Sequence, residues 1–252
     1  MRHLKRFLII FLCCFAVNAA LFFFFSAEAQ TISLDMGQAG GSATKRLVQL
    51  IALITILSLA PSLLMMVTSF TRIIVVLSLL RSAIGIQQTP PNAVLIGLAL
   101  FLTAFIMQPV FEEAYDKGVL PLINEKIDEK TAFTETVKPF HKFMMAQVRD
   151  KDLQLFVDLA NIPEIESAEE TPLRVLVPAF MISELRRSFE IGFLIFIPFL
   201  VIDMMVASTL MAMGMMMLPP VLISLPFKLI FFVLVDGWYM ISGSLVKSFV
   251  PY

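Results

Sequence analysis

Charged side chains are scarce in this chain, and those set inside apolar runs are where any chemistry must reside. Glu184, Arg186, Arg187, Glu190, Asp203, Lys228 and Asp236 fall in or beside long hydrophobic stretches. An Asp, Lys or Arg at the centre of a membrane helix costs about 2.5–3.5 kcal/mol, so such residues either do work or are compensated by a partner. Lys228 and Asp236 lie about 12 Å apart by helical rise, too far to neutralise each other along one helix. Their partners must come from another arm or another copy. Beside these charges runs the Met-rich stretch Asp203–Pro220, DMMVASTLMAMGMMMLPP. Methionine is unbranched and polarizable, asks for no hydrogen bonds and adapts to what it touches. Consecutive helical residues point about 100° apart, so Met215, Met216 and Met217 cannot share one face of a regular helix. Gly214 before them and Pro219 and Pro220 after them predict a turn between two apolar arms. Centred on Met215–Met216, that turn puts Asp203 and Lys228 at one level of an antiparallel hairpin, which predicts that they pair. Separate snorkelling of each charge to an interface is the alternative.

Two chemistries fit such a stretch. A Met cluster can simply fill gaps in a membrane core. Several copies of the turn around an axis would instead make an apolar, deformable constriction, and such constrictions close pores by dewetting. Enzyme chemistry finds no support. Cys13 and Cys14 lie inside an apolar run near the N-terminus, and His141 has no neighbouring ligands in sequence. The Asp236-Gly237-Trp238 triplet lacks the second motif that an intramembrane aspartyl protease would need, and no Ser–His–acid pattern is present. No catalytic residue, metal ligand or cofactor is predicted. Asp203 and Asp236 could carry protons in a coupled transporter. The two halves, however, share only a Pro-containing break rather than the inverted repeats expected of one.

Composition sets the class. The chain has 252 residues, 58% of them hydrophobic and 15% charged, against about 45–50% and 25% for ordinary soluble chains. An integral membrane protein follows. A net charge of −1 without a basic stripe excludes a nucleic-acid partner. Residues 1–29 read as a secretory signal: Arg2, Lys5 and Arg6 precede an apolar run, and Ala27-Glu28-Ala29 offers a cleavage site. Residues 30–46 read as a flexible tail. Residues 47–112 form a first apolar hairpin, with a kink predicted at Pro61 and a break at Gln87–Pro91 that includes Pro90 and Pro91. Asn92 is read as a helix cap, and Pro109 with Glu112-Glu113 as the end of the second arm. Residues 113–177 are charged and amphipathic, and residues 178–252 form a second apolar hairpin around the Met turn. The fold class is therefore all-α: membrane-associated hairpins with a small amphipathic insertion. A cleaved leader places residues 113–177 in the periplasm and Arg72 and Arg81 on the opposite, inner side.

Several long segments carry a family resemblance. FTRIIVVLSLLRSAIG, QQTPPNAVLIGLALFLTAFIM, PAFMISELRRSFEIGFLIFIPFLVIDMMVASTLMAMGMMMLPP and PFKLIFFVLVDGW, in this order, closely resemble the FliP family of flagellar and injectisome type III export gates. The resemblance covers the chain from Leu47 onward. It implies a subunit of an entry pore for unfolded substrates in the bacterial inner membrane, at the flagellar basal body. It implies a homo-oligomer, a pentameric set, assembled with FliQ and FliR, with FlhB, FlhA and FliO nearby. The family's methionine gasket maps onto Met215, Met216 and Met217, with Met211 and Met213 as lesser members. Asp203 and Lys228 match its buried polar pairs, and Glu184, Arg187 and Asp236 are expected to join such pairings. A proton-coupled transporter and a non-gating scaffold of a secretion complex are the alternatives.

Overall fold

The computed structural model describes residues 42–86, 88–162, 170–215 and 218–249. The leader and most of the tail therefore lie outside the described residues. All regular structure among those described is helical. The chain divides into two compact units, Met1–Thr55 and Ile56–Tyr252. In the first, residues 42–55 are helical and belong to α1 (Ser42–Met66). In the second come α2 (Phe70–Ile84), α3 (Asn92–Ala114), a π-helical turn (Tyr115–Val119), α4 (Leu120–Ile123), α5 (Glu129–Gln147), α6 (Asp150–Leu159), α7 (Leu173–Ala212), α8 (Pro220–Leu234) and α9 (Gly237–Lys247).

Among the described residues, three helical stretches are long and apolar enough to cross a membrane: Leu47–Met66, Asn92–Ile123 and Leu173–Ala212. α8 and α9 form a further, broken stretch, bent by 62°. Several of these helices contain proline. Pro61 lies in α1, Pro109 in α3, Pro178 and Pro198 in α7, and Pro226 in α8. Helices among apolar neighbours tolerate proline because the freed carbonyls are re-satisfied locally. Pro109 therefore does not end the second arm as the sequence predicts. α3 runs through it to Ala114 and continues by the π-turn to Ile123. Gly118 allows that continuation: a Cβ there would stand 2.0 Å from Thr136 Oγ1 and 2.8 Å from the Thr136 backbone nitrogen.

The cap assignment also changes. Pro91 is the residue before α3, and Asn92 is its first helical residue. The Asn92 side chain accepts a hydrogen bond from Arg81 Nη1 at 2.6 Å, and Pro90 O accepts another at 3.2 Å. The Pro90–Pro91 break is thus tied to the last turn of α2 by a cation.

One core joins Ile73, Val76 and Leu77 of α2, Leu95, Ala99 and Met107 of α3, Phe143 and Met144 of α5, and Leu176 and Phe180 of α7. Leu245 and Phe249, at the far end of the chain, close it. The amphipathic pattern of α5 explains its place: its apolar face enters this core while its charged face is solvated. A second cluster joins Leu80, Ala83 and Ile84 to Phe199 and Phe232. α2 and α7 pack closely enough that a Cβ at Gly192 would meet Leu79 Cδ1 at 2.3 Å.

Candidate functional site

The long helix α7 ends in a specific stop. Gly214 takes φ 75°, a left-handed conformation open to glycine at no steric cost. Its N–H donates to Met211 O at 3.0 Å, and Met215 N–H donates to Leu210 O at 3.0 Å. These two bonds form a Schellman motif, which satisfies carbonyls that the helix end leaves open. Pro219 and Pro220 then start α8, Pro220 at the first helical position, where its missing N–H costs nothing. The turn is therefore built by one glycine and two prolines, and it leaves methionines at its tip. Met211, Met213 and Met215 are 60%, 61% and 47% exposed. Met216 and Met217 lie outside the described residues.

Below the tip, α7 and α8 are clasped by charge. Lys228 Nζ donates to Asp203 Oδ2 at 2.6 Å, and Ser224 Oγ donates to Asp203 Oδ1. Lys228 Nζ also lies 3.4 Å from Ala83 O of α2. The Lys228 side chain is 6% exposed and that of Asp203 33%. The ammonium is thus the more deeply desolvated partner, and the carboxylate faces the rim. The structure brings together the two residues that lie at equal distances from the turn.

A larger polar cluster lies at the other end of α7. Arg72 is buried, as is Glu184, and the two form a bidentate pair through Arg72 Nε and Nη2. Arg72 Nη2 also donates to Gln147 Oε1 at 3.1 Å, and Nη1 donates to Ser248 Oγ at 2.9 Å and Ser248 O at 3.1 Å. The Phe249 ring lies under the guanidinium, 3.8 Å from its carbon. Arg187 donates to the same Gln147 Oε1 at 2.9 Å. Glu184 is therefore paired with Arg72, and Arg187 joins the group through Gln147. Ser183 Oγ beside them donates to Asp152 Oδ2 at 2.7 Å, which ties α6 to α7.

This cluster corrects the orientation read from sequence. Arg72 cannot lie on the opposite side of a membrane from residues 113–177, because it touches Gln147 directly. The physical reason is that α2 carries Arg72 into the core it shares with α5 and α7, where protein groups rather than a membrane interface satisfy the guanidinium. A buried, fully bonded arginine does not mark a membrane face. Sequence reasoning passed over Arg72 and Gln147 as partners. A lone arginine in the first turn of an apolar helix was the available signal.

Asp236 is not brought into either group. It is exposed, occupies φ 51° at the α8–α9 bend, and joins no ion pair among the described residues. Gly237 after it packs against Phe232, where a Cβ would stand 2.1 Å from the ring. His141 Nε2 hydrogen-bonds Thr171 O at 2.8 Å. Among the described residues, no three His, Cys, Asp or Glu side chains gather to hold a metal. The described geometry is a Met-bearing tip on two arms joined by a partly buried ion pair.

Comparison with known proteins gives a consistent relationship. The model of the FliP family matches residues 53–245. Over 225 residues the chain is 61% identical to the flagellar biosynthetic protein FliP of Caulobacter vibrioides, covering 89% of this chain and 84% of that relative. It is 55% identical over 202 residues to the FliP of Bacillus subtilis, covering 80% of this chain and 91% of the relative. The FliP of Pectobacterium carotovorum is 54% identical over 210 residues, covering 83% and 81% respectively.

Proposed function

This chain belongs to the FliP family, and on that premise we propose that it is the pore-forming subunit of the flagellar type III protein export gate. It works in the bacterial inner membrane at the basal body and passes unfolded substrates. Copies assemble as a pentameric set with FliQ and FliR, beside FlhB, FlhA and FliO. Residues 1–29 are a removed leader, and residues 113–177 face the periplasm together with Arg72.

The observation that carries this reading is the tip. Gly214 and Pro219-Pro220 flank a turn at which Met211, Met213 and Met215 are exposed. Arranged around an axis, Met215, Met216 and Met217 form a gasket that excludes water and ions while empty. An arriving extended polypeptide displaces the thioethers, which need no hydrogen bonds and re-pack around it. The Asp203–Lys228 clasp keeps the two arms in register as the tip yields.

Replacing Met215, Met216 and Met217 together with alanine tests this. The variant should assemble with its partners yet leak ions, measured as membrane conductance. Unchanged conductance in an assembled variant would remove the gasket and leave a scaffold. A pH-dependent solute flux in the purified chain would favour a coupled transporter instead.

A further inference from the structure

Of the acidic side chains in the second hairpin, Glu184, Glu190 and Asp203 each have an ion-pair partner, and Asp236 has none among the described residues. Its carboxylate is exposed, in a left-handed backbone conformation that a non-glycine residue rarely adopts. Apolar residues surround it in sequence, from Leu229 to Val235 and again from Trp238. An exposed carboxylate here faces a cost of about 2.5–3.5 kcal/mol in hydrocarbon. Val235 and Gly237, on either side, line an apolar groove of about 490 Å³ between α7 and the α8–α9 bend. A charge at the edge of an uncovered apolar groove points to a docking surface for a segment that brings a cation.

The chain itself carries such a cation at the same depth. Arg81 follows Leu80, which packs with Phe199 and Phe232 in the second core cluster. Asp236 lies just past the end of α8, the helix that carries Phe232. Arg81 has no carboxylate partner among the described residues. Among the described residues its Nη1 is engaged, by the neutral acceptors Pro90 O and Asn92 Oδ1. Its remaining donors leave room for a bidentate carboxylate. Within one chain the two are carried by different helices, α2 and the α8–α9 bend, and form no ion pair.

We infer that Asp236 of one copy pairs with Arg81 of the next, the exposed α2–α3 corner beside Arg81 covering the apolar groove. The contact is head-to-tail, and repeated contacts of that kind generate a closed ring or a helical stack. This inference rests on the homo-oligomer reading above and supplies its specific contact.

The test uses the full chain, co-expressed with its partners and with Cys13 and Cys14 replaced by alanine. Arg81→Cys and Asp236→Cys are introduced singly and together, and membranes are oxidised before denaturing electrophoresis. The double variant should give a ladder of disulfide-linked copies, and neither single variant should. In parallel, Arg81→Asp and Asp236→Arg should each lower the yield of oligomer roughly tenfold, and the double swap should restore it to within about twofold. An intact oligomer with no ladder and no rescue overturns the pairing and leaves the proposed function standing. A parental chain that purifies as a single copy overturns both.

Discussion

Glu184→Gln is the perturbation whose size the structure best defines. Glu184 and Arg72 are 0% and 1% exposed, so water cannot take over for a lost partner. Glutamine keeps the shape, and its carbonyl can still accept from one guanidinium nitrogen. Its amide then faces a second donor where a carboxylate oxygen stood. The change removes the one counter-charge that touches Arg72 among the described residues and leaves Gln147, Ser248 and the Phe249 ring, all neutral. Breaking one side of a buried pair costs about 3–5 kcal/mol. Against a whole-protein stability of about 5–15 kcal/mol, that is a large share. Replacing both partners, Arg72→Met with Glu184→Leu, should cost markedly less, because no uncompensated charge remains. Denaturant unfolding in detergent measures this, with fluorescence from Trp238, the sole tryptophan. Trp238 packs edge-on against Phe232 at 5.4 Å and sits on the helix that leads to Ser248. A Glu184→Gln shift below about 1 kcal/mol, or a double variant worse than the single, would refute the reasoning.

Other outcomes follow from the same geometry. Asp203→Asn should destabilise more than Lys228→Met, by about 1–2 kcal/mol in the same unfolding assay, because the ammonium is the deeper member and would be left uncompensated. Gly118→Ala should cost roughly 1–3 kcal/mol and Thr136→Ala should rescue it only partly, since the new Cβ also meets the Thr136 backbone nitrogen; protease sensitivity reads this. Gly214→Ala should strain the turn by about 1 kcal/mol and raise ion leak without changing assembly, read as conductance. Asp128 at the start of α5 is held below the usual carboxylate range by the Thr131 hydroxyl. Its contribution is therefore present above the ordinary carboxylate pKa and lost as the pH falls through the lowered one, and hydrogen exchange in acid should show the first turn of α5 fraying.

The parts of this fold that depend on local rules were legible. The apolar runs place the helices, and Gly214 with Pro219-Pro220 places the turn. Counting outward from that turn puts Asp203 level with Lys228, because both arms rise at the same rate per residue. The Arg72 cluster was not legible in that way. Its members come from α2, α5, α7 and the end of the chain, and nothing local to Gln147 or Ser248 announces a buried arginine. Pro109 and Asn92 misled for a different reason. Rules for helix ends describe chains in water, whereas α3 is apolar along its length and suited to a membrane, where continuing the helix is cheaper than leaving its ends unpaired. Asp236 stands apart because its compensation, as inferred here, lies outside the single chain.

The bonds between Arg72 and Ser248 span 176 positions of sequence. As the polypeptide emerges from the ribosome, α2 and α7 are complete well before the segment that holds Ser248 and Phe249. In that interval the guanidinium has its counter-charge but lacks two acceptors and its aromatic floor. The nascent protein is therefore kept short of its final packing until its last-made portion arrives, so a stalled or shortened translation product would carry an open seam. Quality-control proteases could recognise such a seam before the product is built into a larger machine.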